Sequence, residues 1–310
     1  MRPASRRPGS APPWPSWRVI CAGVCGTDRM LAKRPVRPGV ILGHEVVCAD
    51  DSGKVYALNN EIPCGRCRYC REGHASHCLH LLELGVNEDG GFSRELRAPA
   101  ANLHPIRVRD PRTGILVEPL ACALHGAERL GGILAGSATP PRILLLGAGV
   151  SGRLMAFTLR QSLPAAELSV HDARTQVPDW ARPMDVTALG RVPGARFHAV
   201  VECSGTRAGI RTAFRAVGRA GTVLLYGIPP AGLPLPPSSG ALFERELAVI
   251  ASRAGCDGPT FARALALVEA GEEALAPILG RTVGLRALPE ELLRGRPLPG
   301  TRTLVDPALP

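Results

Sequence analysis

Four cysteines packed into fifteen residues constrain this chain more than any other feature. They form the run Cys64-Gly-Arg-Cys67-Arg-Tyr-Cys70, followed seven residues later by Cys78. Each two-residue gap lets the backbone turn so that successive sulfurs face one point, and the longer last gap closes a loop around it. Four thiolates at this spacing predict a closed, tetrahedral structural zinc site. The alternative, buried or disulfide-paired cysteines, suits a small exported domain better than a 310-residue chain.

The length predicts two domains, each able to bury a core of its own. No run is long and apolar enough to cross a membrane as a helix. The lead-in MRPASRRPGSAPPWPSW is basic and broken by proline, without the apolar stretch of a signal peptide. Ten cysteines without an export signal predict a cytoplasmic protein whose thiols bind metal rather than pair. The net charge of +10 raises the question of a nucleic-acid partner. Lys33 and Lys54 are the only lysines, and the arginines are scattered among Pro, Gly and Ala, without a basic stripe or interleaved aromatics. That pattern predicts no nucleic-acid partner and no membrane partner.

The texture changes along the chain. The first 120 residues are rich in Cys, His and Gly, with short strand-like runs such as 17–22 and 39–42. From about Pro141, apolar strands alternate with helical stretches. Strands are expected at 142–146, 168–171, 198–202, 222–226 and 247–251, and helices at 150–161, 207–217, 240–245 and 259–269. Alternation of this kind predicts a parallel, doubly wound α/β sheet. The stretch 173–197 is proline-rich and carries no clear helix.

The first of these strands runs into Gly147-Ala-Gly149-Val150-Ser151-Gly152 and then a helix. Gly147 makes a tight turn, Gly149 admits backbone close to a pyrophosphate, and Gly152 lets the helix pack on the strand, its amides aimed at the anion. Twenty residues beyond Gly152, Asp172 ends the next expected strand. A carboxylate there accepts from the ribose hydroxyls and repels a 2′-phosphate, which favours NAD over NADP. His171 and Arg174 beside it soften that preference.

Upstream lie Gly23-Val-Cys25-Gly-Thr27-Asp28 and then Gly43-His44-Glu45, a thiol, an imidazole and an acid of the types that hold zinc. Taken in order, GVCGTD, GHE, the cysteine loop, Glu118-Pro119-Leu120 and GAGVSG resemble the zinc-dependent medium-chain alcohol dehydrogenases. The likeness spans residues 17 to about 256 and is strongest to the polyol, sorbitol and threonine dehydrogenase branch, which carries Glu-Pro at the position of Glu118.

The resemblance implies a GroES-like, mostly β catalytic domain over residues 1–120, completed by 257–310, and a Rossmann dinucleotide-binding domain over 121–256. It implies two zinc ions, one structural and one catalytic, and NAD or NADP as hydride carrier. Cys25 and His44 match the family's catalytic zinc ligands, with Glu45, Glu118 and Cys122 as alternatives for the remaining place. Thr27 matches the hydroxyl that takes the substrate proton. Met30 stands where relatives often carry a proton-relaying histidine. Cys203 matches a small-residue turn on the nicotinamide side.

The expected reaction is hydride transfer between NAD(P) and a secondary alcohol, with a polyol, sugar, amino-cyclitol or hydroxy-amino compound as substrate and its ketone as product. The expected assembly is a homo-oligomer, a dimer or tetramer. The lead-in stands where relatives carry more sequence before Cys25, and the segment from Glu45 to Cys64 is short. These departures motivate an alternative, a nucleotide-binding protein with reduced or lost catalysis. A zinc-free, quinone-reductase-like enzyme fits poorly with GHE and the cysteine loop. His74, His77 and His80 beside that loop, and His125, read as surface or packing residues.

Overall fold

The computed structural model describes residues 14–136, 138–174, 178–295 and 297–310. Most of the basic lead-in, residues 1–13, lies outside the described residues. The chain divides into two compact units. One comprises Met1–Ala121, Cys256–Leu298 and Arg302–Pro310, and the other comprises Cys122–Gly255 and Pro299–Thr301.

The first unit is built on a seven-stranded sheet. Ser16–Val24 lies at its centre, paired antiparallel with Glu45–Ala49 on one side and with Arg302–Val305 on the other. Val55–Leu58 and Leu103–Pro105 extend one edge, while Leu279–Val283 runs parallel to Arg302–Val305 at the other. Val19, Ala22, Val24, Val46, Cys48, Leu58, Leu96 and Val305 form a core that removes this unit's apolar surface from water. The register places Gly23 opposite Glu45 and Val24 opposite Thr303, so segments far apart in sequence meet at the end of the central strand.

The strand expected at 39–42 is irregular chain. Gly39 has φ +80°, and Ile41 and Leu42 accept from the amides of Gly90 and Phe92 instead of joining the sheet. The sheet strand is the fully buried Glu45–Ala49. A fully buried strand has no polar face to alternate with, so the period-two signal is weak there.

The second unit is a six-stranded parallel sheet. Its order is Thr187–Ala188, Glu167–His171, Arg142–Leu146, Phe197–Glu202, Val217–Leu225 and Ala248–Ala251, which in chain order of the strands is 3-2-1-4-5-6. This is the doubly wound topology expected from the alternating strands and helices. The order reverses between Arg142–Leu146 and Phe197–Glu202, and ligands of such sheets bind outside the carboxyl ends of the strands at that point. Helix Val150–Ser162 follows the first of these strands and Arg207–Ala216 follows the other. The stretch 173–197 forms a short turn of 3-10 helix, Arg182–Met184, and the two-residue strand Thr187–Ala188 where a crossover helix is usual; residues 175–177 of it lie outside the described residues.

Candidate metal and dinucleotide sites

The cysteine loop closes around one point. The sulfurs of Cys64, Cys67, Cys70 and Cys78 all lie within 4.8 Å of one another, and those of Cys67 and Cys70 are 3.5 Å apart. Four sulfurs about 2.3 Å from a tetrahedral zinc would sit roughly 3.8 Å from each other, so the loop fits such an ion. Backbone amides of Cys64 and His80 donate to the Cys78 sulfur at 3.2 and 3.3 Å. Amides of Cys70 and Leu79 pull the Cys67 thiol down to about 6, and that of Arg66 lowers Cys64. Desolvation and the neighbouring sulfurs Cys67 and Cys78 push Cys70 up to about 12. A cation at the centre removes that conflict by neutralising the charge the sulfurs share. No disulfide joins any of the ten cysteines. His74, His77 and His80 are exposed, and none of them joins a metal-competent group among the described residues.

A second group forms at the end of the central strand of the same unit. Cys25 precedes the short helix Gly26–Leu31, and His44 and Glu45 enter the neighbouring strand. One ligand atom from each of the three lies within 4.8 Å of the others. Asp28, fully buried, binds this group together. Its Oδ2 accepts from the Cys25 amide at 2.8 Å, and its Oδ1 accepts from the Gly43 amide at 3.2 Å and faces His44 Nδ1 at 3.2 Å. With Nδ1 turned to a carboxylate, Nε2 is left for an ion, an arrangement that fixes the tautomer and direction of a metal-binding imidazole. Burial opposes charge on His44, but Asp28, helped by Cys25, outweighs it and holds the ring well above its usual range.

Glu45 is fully buried, and Arg302 Nη2 lies 2.8 Å from its Oε1. Burial raises the Glu45 carboxyl, opposed by Arg302 and His44. The carboxylate fits only because its cross-strand partner is Gly23. A Cβ at Gly23 would come within 2.3 Å of Glu45 Oε2. A thiol, an imidazole and a carboxylate gathered at one point, the last two buried, are a donor set suited to zinc.

Thr27 stands two residues beyond Cys25 on the short helix, half-buried, and Met30 is 45% exposed on the same helix. Glu118 is the second residue of helix Val117–Leu134 and falls in a different metal-competent group from Cys25. Its Oε1 lies 3.9 Å from the Cys256 sulfur. Cys122 is one turn further along the same helix and partly buried. Asp28 lies inside the GVCGTD run, but its tying role, like the places of Arg302 and Cys256, depends on tertiary contacts that no local motif expresses.

In the second unit the glycine turn has the geometry its sequence predicts. Gly147 has φ +109°, a conformation that side chains with a Cβ rarely adopt. A Cβ on Gly152 would lie 1.9 Å from the Gly147 carbonyl oxygen, so helix and strand approach as closely as they do only without one. Gly149 caps helix Val150–Ser162, whose first two residues are Val150 and Ser151. Asp172 Oδ2 accepts from the Ala148 amide and Oδ1 from the Arg174 amide, both at 2.8 Å. Burial works against the charge of Asp172, but those two amides prevail and lower its carboxyl, so it is ionised at neutral pH.

Beside this turn, Cys203 is partly buried, and burial lifts its thiol well above the usual range. Fully buried Glu202 accepts from the amides of Ser204 and Gly205 at 2.9 and 3.0 Å and from the Ser204 hydroxyl. That shapes the second loop at the reversal point of the sheet. A cradle whose floor lacks side chains, with an anionic acceptor at its rim, fits a dinucleotide.

Comparison with known proteins agrees with this geometry. Residues 17–108 match the family model of the alcohol dehydrogenase GroES-like domain. D-altritol 5-dehydrogenase of Agrobacterium fabrum is 28% identical over 290 residues, covering 86% of this chain and 84% of the relative. D-arabinitol dehydrogenase 1 of Uromyces fabae is 27% identical, covering 82% and 79%. A Sinorhizobium meliloti 1021 protein, assigned as a zinc-binding dehydrogenase and solved with NADP bound, superposes with a TM-score of 0.79 at 27% identity, covering 97% of this chain and 94% of that one. A GroES-like match over residues 17–108, a parallel sheet ordered 3-2-1-4-5-6 in the second unit, and relatives of this kind along most of the chain all point the same way. Along most of its length the chain is similar to zinc-dependent medium-chain alcohol dehydrogenases.

Proposed function

We propose that the chain is an NAD(P)-dependent zinc dehydrogenase that interconverts a secondary alcohol and its ketone. The substrate class is a polyol, sugar, amino-cyclitol or hydroxy-amino compound, as in the D-arabinitol, D-altritol and L-threonine dehydrogenases it resembles. The observation that carries this reading is the Cys25–His44–Glu45 group, braced by Asp28 and Arg302, in a chain that also holds a dinucleotide cradle.

Cys25 and His44 would hold the catalytic zinc, with Glu45, Glu118 or Cys122 completing its sphere, and Cys64, Cys67, Cys70 and Cys78 would hold the structural one. When bound, zinc supplies Lewis-acid stabilisation of a deprotonated substrate hydroxyl, and the nicotinamide accepts the hydride. Asp28 keeps the His44 ring aimed and the Cys25 backbone fixed, so donors do not reorganise during reaction. The Thr27 hydroxyl accepts the proton of the substrate hydroxyl at Oγ1. Met30 cannot pass that proton onward, so it leaves by water or by the ribose. Gly147, Gly149, Val150, Ser151 and Gly152 receive the pyrophosphate, Asp172 accepts from the ribose, and Cys203 borders the nicotinamide end.

No helix among the described residues is long and apolar enough to cross a membrane. The outer strand Ala248–Ala251 is apolar and pairs on one side only in the six-stranded sheet, which suits pairing with a second copy. Ten cysteines without a disulfide suit a reducing cytoplasm.

The test combines metal analysis with a panel of secondary alcohols, read by nicotinamide absorbance. Two zinc ions per chain with dinucleotide-dependent turnover support the reading. Dinucleotide binding with one zinc and no turnover across the panel would replace it with a binding protein.

A further inference from the structure

Ala148, inside the glycine turn, is held at both of its peptide groups. Its N–H donates to Asp172 Oδ2 at 2.8 Å, and its carbonyl accepts from Trp180 Nε1 at 3.2 Å. Trp180 is buried and lies in the irregular chain between the second and third strands of the parallel sheet. Just beyond it, the short turn Arg182–Met184 packs on helix Val150–Ser162, the helix that the glycine turn opens. The ring also meets Gly300, which belongs to the same unit. A Cβ at Gly300 would come 3.4 Å from Trp180 Cδ1 and 3.6 Å from the Ala148 oxygen. The indole is thus fixed between the glycine turn and a second stretch of backbone.

In a trans peptide the C=O and the following N–H point in opposite directions. Holding the Ala148 oxygen against the buried indole therefore turns the Gly149 N–H away from it, at the cap of the helix whose amides receive a pyrophosphate. The Asp172 bond fixes the preceding peptide. Without the Trp180 bond, the Ala148–Gly149 peptide would have a buried carbonyl lacking its donor, and Gly149 on its far side would let it rotate.

We propose that Trp180 is a positioning residue for dinucleotide binding: its indole N–H holds the Ala148 carbonyl and so sets the direction in which Gly149 presents its amide to the pyrophosphate. This rests on the dehydrogenase reading above and deepens it. Trp180 acts through the turn and touches no reacting atom. The effect is common to NAD and NADP, because both carry the same pyrophosphate, whereas Asp172 discriminates between them at the ribose.

Trp180→Phe keeps most of the ring and removes the donor. Titration of the full-length protein is expected to show the dissociation constants of NAD and NADP rising together, about 5- to 20-fold for one lost buried hydrogen bond. KM for the dinucleotide should rise with them, while kcat at saturating dinucleotide and KM for the alcohol stay within about twofold. A role in folding alone would lower the melting temperature and leave this split absent. Unchanged affinity in Trp180→Phe, with the parent chain binding NAD normally, overturns the inference and leaves the proposed function standing. Failure of the parent chain to bind either dinucleotide overturns both.

Should Trp180→Phe fail to fold, indole N–H signals of the 15N-labelled parent chain, assigned through Trp14→Phe and Trp17→Phe, decide the matter. The Trp180 signal is expected to exchange slowly with solvent and to shift on NAD addition. A Trp180 signal unmoved at saturating NAD refutes the proposal.

Discussion

Replacing Arg302 by Met removes the cation that faces a fully buried carboxylate. Arg302 Nη2 and Glu45 Oε1 are 2.8 Å apart, and their side chains are 9% and 0% exposed. At that distance, with an effective dielectric constant of about 20, the attraction is roughly 6 kcal/mol, offset in large part by the desolvation of both ions. Removing only one partner leaves the other charged and unpaired, a loss of about 3–5 kcal/mol. For domains of this size that is a fall of roughly 6–20 °C in melting temperature. The assay is thermal and urea unfolding of zinc-depleted protein, comparing Arg302→Met, Glu45→Gln and the double variant. The double variant should regain at least about 2 kcal/mol relative to the sum of the single changes. pH supplies a second readout. Burial already raises the Glu45 carboxyl above its unfolded value, and loss of Arg302 raises it further. A raised carboxylate binds more protons folded than unfolded, so the native state weakens as pH rises through the folded value. The penalty of Arg302→Met should therefore grow from pH 5 towards pH 8. Additive single effects, or a penalty independent of pH, would refute the reasoning.

Other consequences are as direct. Cys70→Ser should lose one zinc per chain and destabilise the protein by several kcal/mol, whereas Cys25→Ser should lose the other zinc and lower kcat/KM by at least about a thousandfold with little change in melting temperature; metal analysis and calorimetry separate the two. Because Asp28 raises His44 in the absence of metal, zinc uptake at this site should release a proton and weaken as pH falls, which a pH-indicator titration of depleted protein reads directly. Asp172→Ala should lower the NAD to NADP ratio of kcat/KM by about tenfold, since a charge-assisted acceptor at the ribose is lost; an unchanged ratio would remove Asp172 from cofactor choice. Met30→His should add an inflection near the histidine range to the pH profile of alcohol oxidation, and an unaltered profile would end the idea that a relay is missing.

What could be seen in the sequence was what the chain builds from neighbouring residues. The glycine turn, its strand and its helix lie within about twenty residues, and Gly147 and Gly152 each answer a steric demand that the spacing expresses. The cysteine loop is equally local. The doubly wound class followed from alternating strands and helices, although the strand order that sets its reversal point is a property of tertiary packing. The partnership of Arg302 with Glu45 was invisible because it depends on the register Val24 to Thr303 and Gly23 to Glu45 across three strands. The same holds for Trp180, whose donor meets the glycine turn through chain with no periodic pattern. The false strand at 39–42 arose because a short apolar run next to glycine looks alike whether it pairs in a sheet or hangs from a loop by isolated bonds.

The unit that carries the cysteine and histidine groups is discontinuous, interrupted by the whole of the parallel-sheet unit. During synthesis, Cys25, His44 and Glu45 emerge long before Arg302, which supplies Glu45 with its counter-charge. The parallel-sheet unit is nearly all present before then and can fold while its neighbour waits. Until the strand Arg302–Val305 docks, the early segment carries an acid it cannot bury cheaply in an apolar core. Burial of Glu45 therefore belongs to the end of folding rather than its beginning, a timing written into the order of segments.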